Sequence, residues 1–290
     1  MLSFSLIGAG GFVAPRHMRA IKETGNTLVS VYDIHDGLGV MDDYFPGSVC
    51  FSDIERYNRF HEKQAPDLLT VCSPNHLHFG HIAMGLGWGA DVICEKPMVL
   101  DPRQLQELRK LESETGKRVY TILQLRLLEE VRALREEVGK SDEIYDVEVS
   151  YISARGNWYF NSWKGQDELS GGLVTNIGIH LFDLLLWVFG PCDTALLNHS
   201  DPRTAFGTLE LARARVRWKL SVDAGELPRS VALAGERTFR QITVNGREIR
   251  LDKGLGDLHT LSYKDVLAGQ GLGIDDAGPS IRLCHLLRSI

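Results

Sequence analysis

The chain of 290 residues predicts an α/β protein in two parts: a doubly wound parallel sheet, then an α+β domain with an open mixed sheet. Three observations carry this. Strand-like and helical patterns alternate from Ser3 to Leu123, the signature of a parallel sheet covered by helices on both faces. A glycine-rich turn follows the first strand pattern directly. The second half changes to long strand-like runs and a hairpin signal at Asn245-Gly246. A chain this long favours two domains over one core, set at 1–122 and 123–290, with the last helix able to pack back on the first domain.

Composition narrows the function classes. With 43% hydrophobic and 24% charged residues and a formal net charge of -6, the chain lacks the basic excess of a nucleic-acid-binding surface. No apolar run approaches a membrane span, and Met1 leads into a strand with no basic leader, so a cytoplasmic protein without membrane contact is expected. The five cysteines are scattered with no C-x-x-C pair, which argues for core thiols rather than a disulfide framework or a zinc site.

Ser3 to Ile7 reads as the first strand, and Gly8-Ala9-Gly10-Gly11-Phe12-Val13 as the turn into a helix from Ala14 to about Glu23. Glycines there let the backbone approach a pyrophosphate, which the helix N-terminus then stabilises. The next strand, Leu28 to Tyr32, ends in Asp33, whose carboxylate can accept both ribose hydroxyls and would repel a 2'-phosphate. NAD is therefore favoured over NADP. The third glycine of such a fingerprint is replaced by Val13.

A helix over about Asp53 to Lys63, a strand over Leu68 to Cys72, a helix over about His76 to Leu86 and a strand over Asp91 to Cys94 follow. Ser73-Pro74-Asn75-His76-Leu77-His78 lies at a strand's carboxyl end, where such sheets bind ligands. His76, His78 and His81 have no cysteine or carboxylate to complete a ligand set, so no metal is expected. Glu95-Lys96-Pro97 stands where the Asp91 strand stops, because proline cannot continue a central strand, and this makes Lys96 a candidate for chemistry. Asp101 to Lys117 reads as an amphipathic helix with Leu105, Leu108 and Leu111 on one face and Asp101 as its N-cap. Val119 to Leu123 is a further strand, running into Gln124.

In the second half Glu143 to Ala154, Thr208 to Leu220 and Thr238 to Val244 are strand-like, and the last turns through Asn245-Gly246 into Glu248 to Leu251 as an edge hairpin. Asn176, His180 and Asp183 stand one turn apart, so all three can share a helix face while Ile177, Leu181, Leu184 and Leu185 bury the other. A helix is expected from Asp257 through His259 and Tyr263 to Leu267, with no role evident for His259, and Pro279 is expected to interrupt a helix.

The glycine turn, Asp33, the Ser73-Pro74-Asn75-x-x-His78 loop and Glu95-Lys96-Pro97 together resemble the Gfo/Idh/MocA family of sugar and inositol oxidoreductases, which pair a Rossmann domain with an open-sheet substrate domain. Gly171-Gly172 with His180 and Asp183 matches the family's second-half spacing. The blocks Arg155-Gly156-Asn157-Trp158-Tyr159, Ser162-Trp163-Lys164, Thr175 to His180, Ala214 to Trp218 and Ser221 to Asp223 resemble its WlbA/WbpB branch. That branch oxidises C3 of UDP-N-acetylglucosaminuronic acid with NAD, toward bacterial surface polysaccharide.

The resemblance implies Lys96 and His180 as catalytic residues. It implies NAD contacts at Gly8, Gly10, Gly11, Phe12, Val13, Asp33, Ser73, Pro74, Asn75, His78, Glu95, Lys96 and Gln124. Substrate contacts are expected at Lys96, Arg155, Tyr159, Ser162, Lys164, Asn176 and His180, with Arg155 and Lys164 meeting the diphosphate and carboxylate. Where the wider family usually has aspartate, this chain, like the branch, has Asn176, which excludes a proton relay through that position. The resemblance also implies a homo-oligomer, a tetramer in first place, and allows 2-oxoglutarate as the oxidant that recycles the cofactor. A dehydrogenase of another sugar or inositol, or a non-catalytic NAD-binding sensor, stays open on the sequence.

Overall fold

A computed structural model describes residues 1–249, 251 and 256–290. It divides into two compact units, Met1–Gln124 with Gly256–Ala277, and Leu125–Leu255 with Gly278–Ile290.

The first unit runs β1 (Ser3–Ile7), α1 (Ala14–Glu23), β2 (Thr27–Tyr32), α2 (Val40–Tyr44), β3 (Val49–Phe51), α3 (Ile54–Lys63), β4 (Leu68–Val71), α4 (His78–Trp88), β5 (Asp91–Cys94), α5 (Arg103–Thr115) and β6 (Val119–Thr121). All six strands are parallel, in the order β3-β2-β1-β4-β5-β6. The order reverses at β1, which has β2 on one side and β4 on the other, so the carboxyl ends of β1 and β4 form the crevice where such sheets take ligands. Every residue of β4 is buried, as expected for a strand covered on both faces. Phe4, Leu6, Met18, Ile21, Val31 and Ile93 build one core of this unit together with Tyr263 and Val266.

Two short elements here have no counterpart in the sequence expectations. β3 adds an edge strand of three residues, and α2 has five, both too short to show a hydrophobic period. Asp101 is not the N-cap of α5. That place is taken by Pro102, and the Asp101 carboxylate instead accepts the Arg103 N–H at 2.9 Å and pairs with the Arg103 guanidinium. The cap is better seen at Asp53, whose side chain accepts the Arg56 N–H at 2.7 Å.

The second unit contains α6 (Glu129–Gly139), β7 (Tyr145–Ser153), α7 (Asn157–Phe160), α8 (Asp167–Ser170), α9 (Gly172–Asn176), α10 (Ile179–Phe189), β8 (Cys192–Ser200), β9 (Thr204–Leu211), β10 (Ala214–Ser221), α11 (Arg229–Leu233), β11 (Thr238–Val244) and β12 (Arg247–Ile249). Its six strands lie in the order β12-β11-β7-β10-β9-β8, parallel only between β7 and β10. Along β7, Tyr145, Val147 and Val149 are buried while Asp146 and Glu148 are exposed, the alternation of a sheet with one face in water.

The expected single strand over Thr208 to Leu220 is two strands, β9 and β10, folded at Ala212-Arg213 into an antiparallel hairpin. Neither turn residue is glycine, asparagine or proline, so no local signal marked the reversal. The Asn245-Gly246 turn does join β11 to an edge strand, with both residues at positive φ. The expected strand to Leu251 passes through residue 250, which lies outside the described residues.

The last two helices are α12 (Leu258–Leu267) and α13 (Ile274–Ser289). Pro279 does not end α13 but sits inside it. Its missing N–H removes one bond, to the Asp275 carbonyl, and buried Ile281, Leu283, Cys284 and Leu287 hold the turns that follow. The boundary between the two units falls within this helix, between Ala277 and Gly278.

A second helix departs in the opposite sense. The run expected to carry Asn176, His180 and Asp183 on one face is broken: α9 stops at Asn176 and α10 starts at Ile179, with a bend of 45° between the segment Asp167–Asn176 and α10. Gly178 sits at the break, where a Cβ would lie 2.5 Å from the Val174 carbonyl oxygen and 2.7 Å from Leu220 and Phe182. Among the described residues no single helix is long and apolar enough to cross a membrane. The contacts at Gly178 set an expected outcome for Gly178→Ala. The added methyl has no room and should cost about 1–3 kcal/mol, seen as a lower denaturation midpoint, whereas an unchanged midpoint would show that the bend relaxes freely.

Candidate active site

The turn after β1 is built by close backbone approach. Gly8 has φ +87°, and a Cβ there would lie 2.7 Å from the Cys72 carbonyl at the end of β4. Its N–H donates to the Tyr32 carbonyl at 2.8 Å, and Gly11 N–H donates to the Gly8 carbonyl at 3.0 Å. Gly10 N–H donates to Asp33 Oδ2 at 2.8 Å, and a Cβ on Gly10 would meet that oxygen at 3.2 Å. Asp33 Oδ1 accepts the His35 N–H at 3.0 Å, so the buried carboxylate is fixed by two amides while its remaining lone pairs stay available. Val13 is the N-cap of α1 at φ -90°, a conformation that needs no glycine, and its side chain packs partly buried against the core. Phe12 is exposed, and the cradle of Gly8, Gly10 and Gly11 fits a dinucleotide phosphate chain at the amino end of α1.

The loop after β4 carries Ser73, Pro74 and Asn75, and His78 opens α4. Ser73 Oγ is hydrogen-bonded to His81 Nδ1 at 2.8 Å. His78 is buried, with Nε2 2.8 Å from the Ser73 carbonyl and Nδ1 2.6 Å from the Pro97 carbonyl, so its ring ties this loop to the one that follows β5. His78 and His81 are thus engaged with protein oxygens.

The peptide Lys96-Pro97 at the end of β5 is cis, and Lys96 is half-buried. Glu95 beside it is the centre of a buried network. Its Oε1 accepts N–H bonds from His17 Nε2 at 2.9 Å and His259 Nε2 at 3.1 Å, and its Oε2 accepts the Lys96 N–H at 3.2 Å. His17 Nδ1 is 2.9 Å from the Tyr263 hydroxyl, which is 2.9 Å from Thr70 Oγ1. Burial works to raise the Glu95 carboxyl, but hydrogen bonds from both imidazoles outweigh it and hold it well below the ordinary carboxylate value. Burial lowers His17, against the pull of Glu95.

Among the described residues, His17, Glu95 and His259 also form the grouping with the composition of a metal set. The sequence offered one signal for His17: it stands on the apolar face of α1 with Ala14, Met18 and Ile21. His259 and Tyr263 are likewise one turn apart on α12. Gln124 closes the segment after β6, with its Oε1 buried and unpartnered among the described residues.

The second unit gathers the other candidates. Ser162 Oγ donates to the Tyr159 carbonyl at 2.8 Å and accepts the Lys164 N–H. Asn176 Nδ2 donates to the Tyr159 hydroxyl at 3.3 Å, so Tyr159 and Asn176 are directly joined. Lys164 Nζ lies 5.5 Å from the Trp158 ring and 5.6 Å from that of Trp163, and the Arg155 guanidinium is 5.9 Å from Trp158. Arg155 Nε is buried without a partner among the described residues, and Arg203, which the sequence did not single out, lies 4.7 Å over Phe160. His180 is half-buried on the first turn of α10. Asp183, one turn on, is buried in a bidentate pair with Arg126 at 2.6 and 2.9 Å.

Two family models match the chain: "Oxidoreductase family, NAD-binding Rossmann fold" over residues 2–123 and "Oxidoreductase family, C-terminal alpha/beta domain" over residues 136–248. Among solved structures, the WlbA (WbpB) dehydrogenase from Thermus thermophilus in complex with NAD and α-ketoglutarate is 43% identical, with TM-score 0.97 over 100% of this chain and 96% of that one. The same dehydrogenase in complex with NAD and UDP-GlcNAcA gives 43% and 0.96 over 100% and 95%. Among curated proteins, D-glucoside 3-dehydrogenase of Escherichia coli is 29% identical over 178 residues, 53% of this chain and 51% of that protein. Glucose-6-phosphate 3-dehydrogenase of Bacillus subtilis is 26% identical over 196 residues, 65% of this chain and 54% of that protein. The chain thus spans about half the length of these curated relatives.

The buried imidazoles set the response to acid. Burial lowers His17, His61 and His81 below the ordinary 6.5, His81 to about 4. The unfolded chain takes protons on these rings as pH falls through about 6.5 while the folded chain does not, so the stability they carry is full above that pH and lost below it. The denaturation midpoint should therefore fall between about pH 7.5 and pH 5.5. An equal midpoint at both would contradict the neutral state of these rings.

Proposed function

Because this chain belongs to the Gfo/Idh/MocA oxidoreductase family, we propose that it is an NAD-dependent dehydrogenase of a nucleotide sugar, oxidising the C3 hydroxyl of UDP-N-acetylglucosaminuronic acid to the 3-keto sugar. The observation that carries this reading is full-length similarity at 43% identity to a dehydrogenase solved with NAD and UDP-GlcNAcA. The step belongs to the making of a bacterial surface polysaccharide and is cytoplasmic.

The glycine cradle and Asp33 would hold NAD, with Asp33 on the adenosine ribose, where its charge disfavours a 2'-phosphate. NAD, when bound, supplies the acceptor for the hydride that leaves C3. Lys96 donates a hydrogen bond to the C3 oxygen and stabilises the negative charge that grows there. His180 takes the hydroxyl proton, a role that imidazole side chains commonly fill. Arg155 and Lys164 meet the anionic groups of the substrate, and the Tyr159-Asn176 hydrogen bond fixes polar groups for the sugar. Ser162 caps the turn that presents Lys164.

In this reading 2-oxoglutarate would accept the hydride and a proton and leave as 2-hydroxyglutarate, in keeping with the α-ketoglutarate in the Thermus thermophilus complex. Assembly is as a homo-oligomer, a tetramer in first place. The exposed face of the second sheet supports it, since Phe206 and Leu196 stand there among Arg215, Arg217 and Glu210.

The test is near-ultraviolet absorbance of the purified protein with UDP-N-acetylglucosaminuronic acid, followed by 2-oxoglutarate. A reduced-nicotinamide signal that rises and then collapses is expected. Silence with this substrate, with UDP-N-acetylglucosamine and with inositol would favour a sensor over an enzyme. In the same assay Lys96→Ala should lower turnover about a hundredfold, roughly 3 kcal/mol, with NAD affinity nearly unchanged. Full turnover in that variant would remove Lys96 from the chemistry.

A further inference from the structure

Glu95, His17 and His259 are absent from the chemistry above, yet they form a charged network buried at the root of Lys96. His17 and Thr70 are fully buried, His259 and Glu95 nearly so. The hydrogen-bond pattern has one self-consistent assignment with an uncharged His17: Thr70 donates to Tyr263, Tyr263 donates to His17 Nδ1, and His17 Nε2 donates to Glu95 Oε1. His259 Nε2 donates to the same oxygen, and the second carboxylate oxygen takes the Lys96 N–H. On the other side of the lysine, the Pro97 carbonyl is engaged by His78. The backbone of Lys96 is thus pinned before and after the residue by buried imidazoles drawn from α1, α4 and α12.

Stability alone does not account for such an arrangement. Desolvating a carboxylate costs several kcal/mol, and apolar side chains of similar volume commonly do as well or better in a core. A fully satisfied polar network of this kind earns its place by holding one geometry and one charge. We propose that the His17–Glu95–His259 cluster is the positioning device of Lys96, clamping the lysine's backbone and presenting the carboxylate's negative charge to the residue that follows it. This rests on the reading that Lys96 serves the reaction.

The groups facing Glu95 are His17 from α1, His259 and Tyr263 from α12, Cys72 after β4, Cys94 in β5, His78 from α4 and the Lys96 backbone N–H. Burial, with the field of Glu95, raises both thiols and the Tyr263 hydroxyl, so they stay protonated and add no charge. Glu95 is then the anion of the set. Its Oε2 holds the Lys96 backbone N–H, so loss of the carboxylate charge weakens the bond that fixes the backbone from which the lysine projects.

The experiment compares full-length wild type, Glu95→Gln, His259→Leu, His259→Gln and Lys96→Ala, with NAD and UDP-N-acetylglucosaminuronic acid. Glu95→Gln should lower kcat about tenfold or more. His259→Leu should lose turnover, and His259→Gln, which keeps an N–H for the carboxylate, should recover most of it. Wild-type kcat in Glu95→Gln overturns the proposal, as does a His259→Gln variant no better than His259→Leu. Stoichiometric zinc in elemental analysis of the wild-type protein also overturns it, because the Nε2 lone pairs would then face an ion. An impaired Lys96→Ala beside an unimpaired Glu95→Gln removes the positioning role alone. An unimpaired Lys96→Ala removes the reading of Lys96 on which the role rests.

Discussion

A carboxylate buried at the end of β5 is the constraint that organises the first unit. Glu95 cannot be left charged in the interior without donors, and the donors come from α1, near the start of the chain, and α12, near its end. The segment Gly256–Ala277 therefore belongs to the same compact unit as Met1–Gln124. Tyr263 serves both purposes of that return: its ring stacks with Phe4 in the core, and its hydroxyl continues the polar chain to Thr70 on β4. One set of residues thus fixes the register of helix against sheet and the backbone from which Lys96 projects.

The cradle at β1 follows the same logic at lower cost. Gly8 lies so close to Cys72 and Ser73 that no side chain fits, which brings the β1 turn against the β4 loop. Asp33 is held by the amides of Gly10 and His35 before any ligand arrives, so the orientation of its carboxylate is settled in advance and binding need not order it. Bound backbone donors, a fixed acid and a glycine-lined surface are what a dinucleotide requires.

Most of the first unit was legible because parallel strands buried on both faces leave continuous apolar runs, and β1, α1 and β5 stand where the pattern placed them. The features that escaped it are those whose cause is not local. The break at Gly178 lies where Leu220 and Phe182 leave no room for a side chain, in a run that reads as ordinary helix, so Asn176 ends one helix and His180 stands in the first turn of the next. The turn at Ala212-Arg213 has no turn-forming residue, and Pro279 is carried by buried turns on its C-terminal side. His259 had no evident role because its partner lies 164 positions away, and no spacing rule reaches that far. Candidate chemistry was visible as Lys96, Asp33 and the Arg155 to Lys164 block, and Glu95 stood out beside Lys96, whereas its donors His17 and His259 were joined to it only by the fold.

The central claim is that hydride leaves C3 of the sugar, and it is tested most directly with UDP-N-acetylglucosaminuronic acid carrying deuterium at C3. The account predicts that one turnover places that deuterium on the reduced nicotinamide, read by mass spectrometry of the cofactor. Unlabelled reduced cofactor, with the deuterium retained in the sugar, would contradict it.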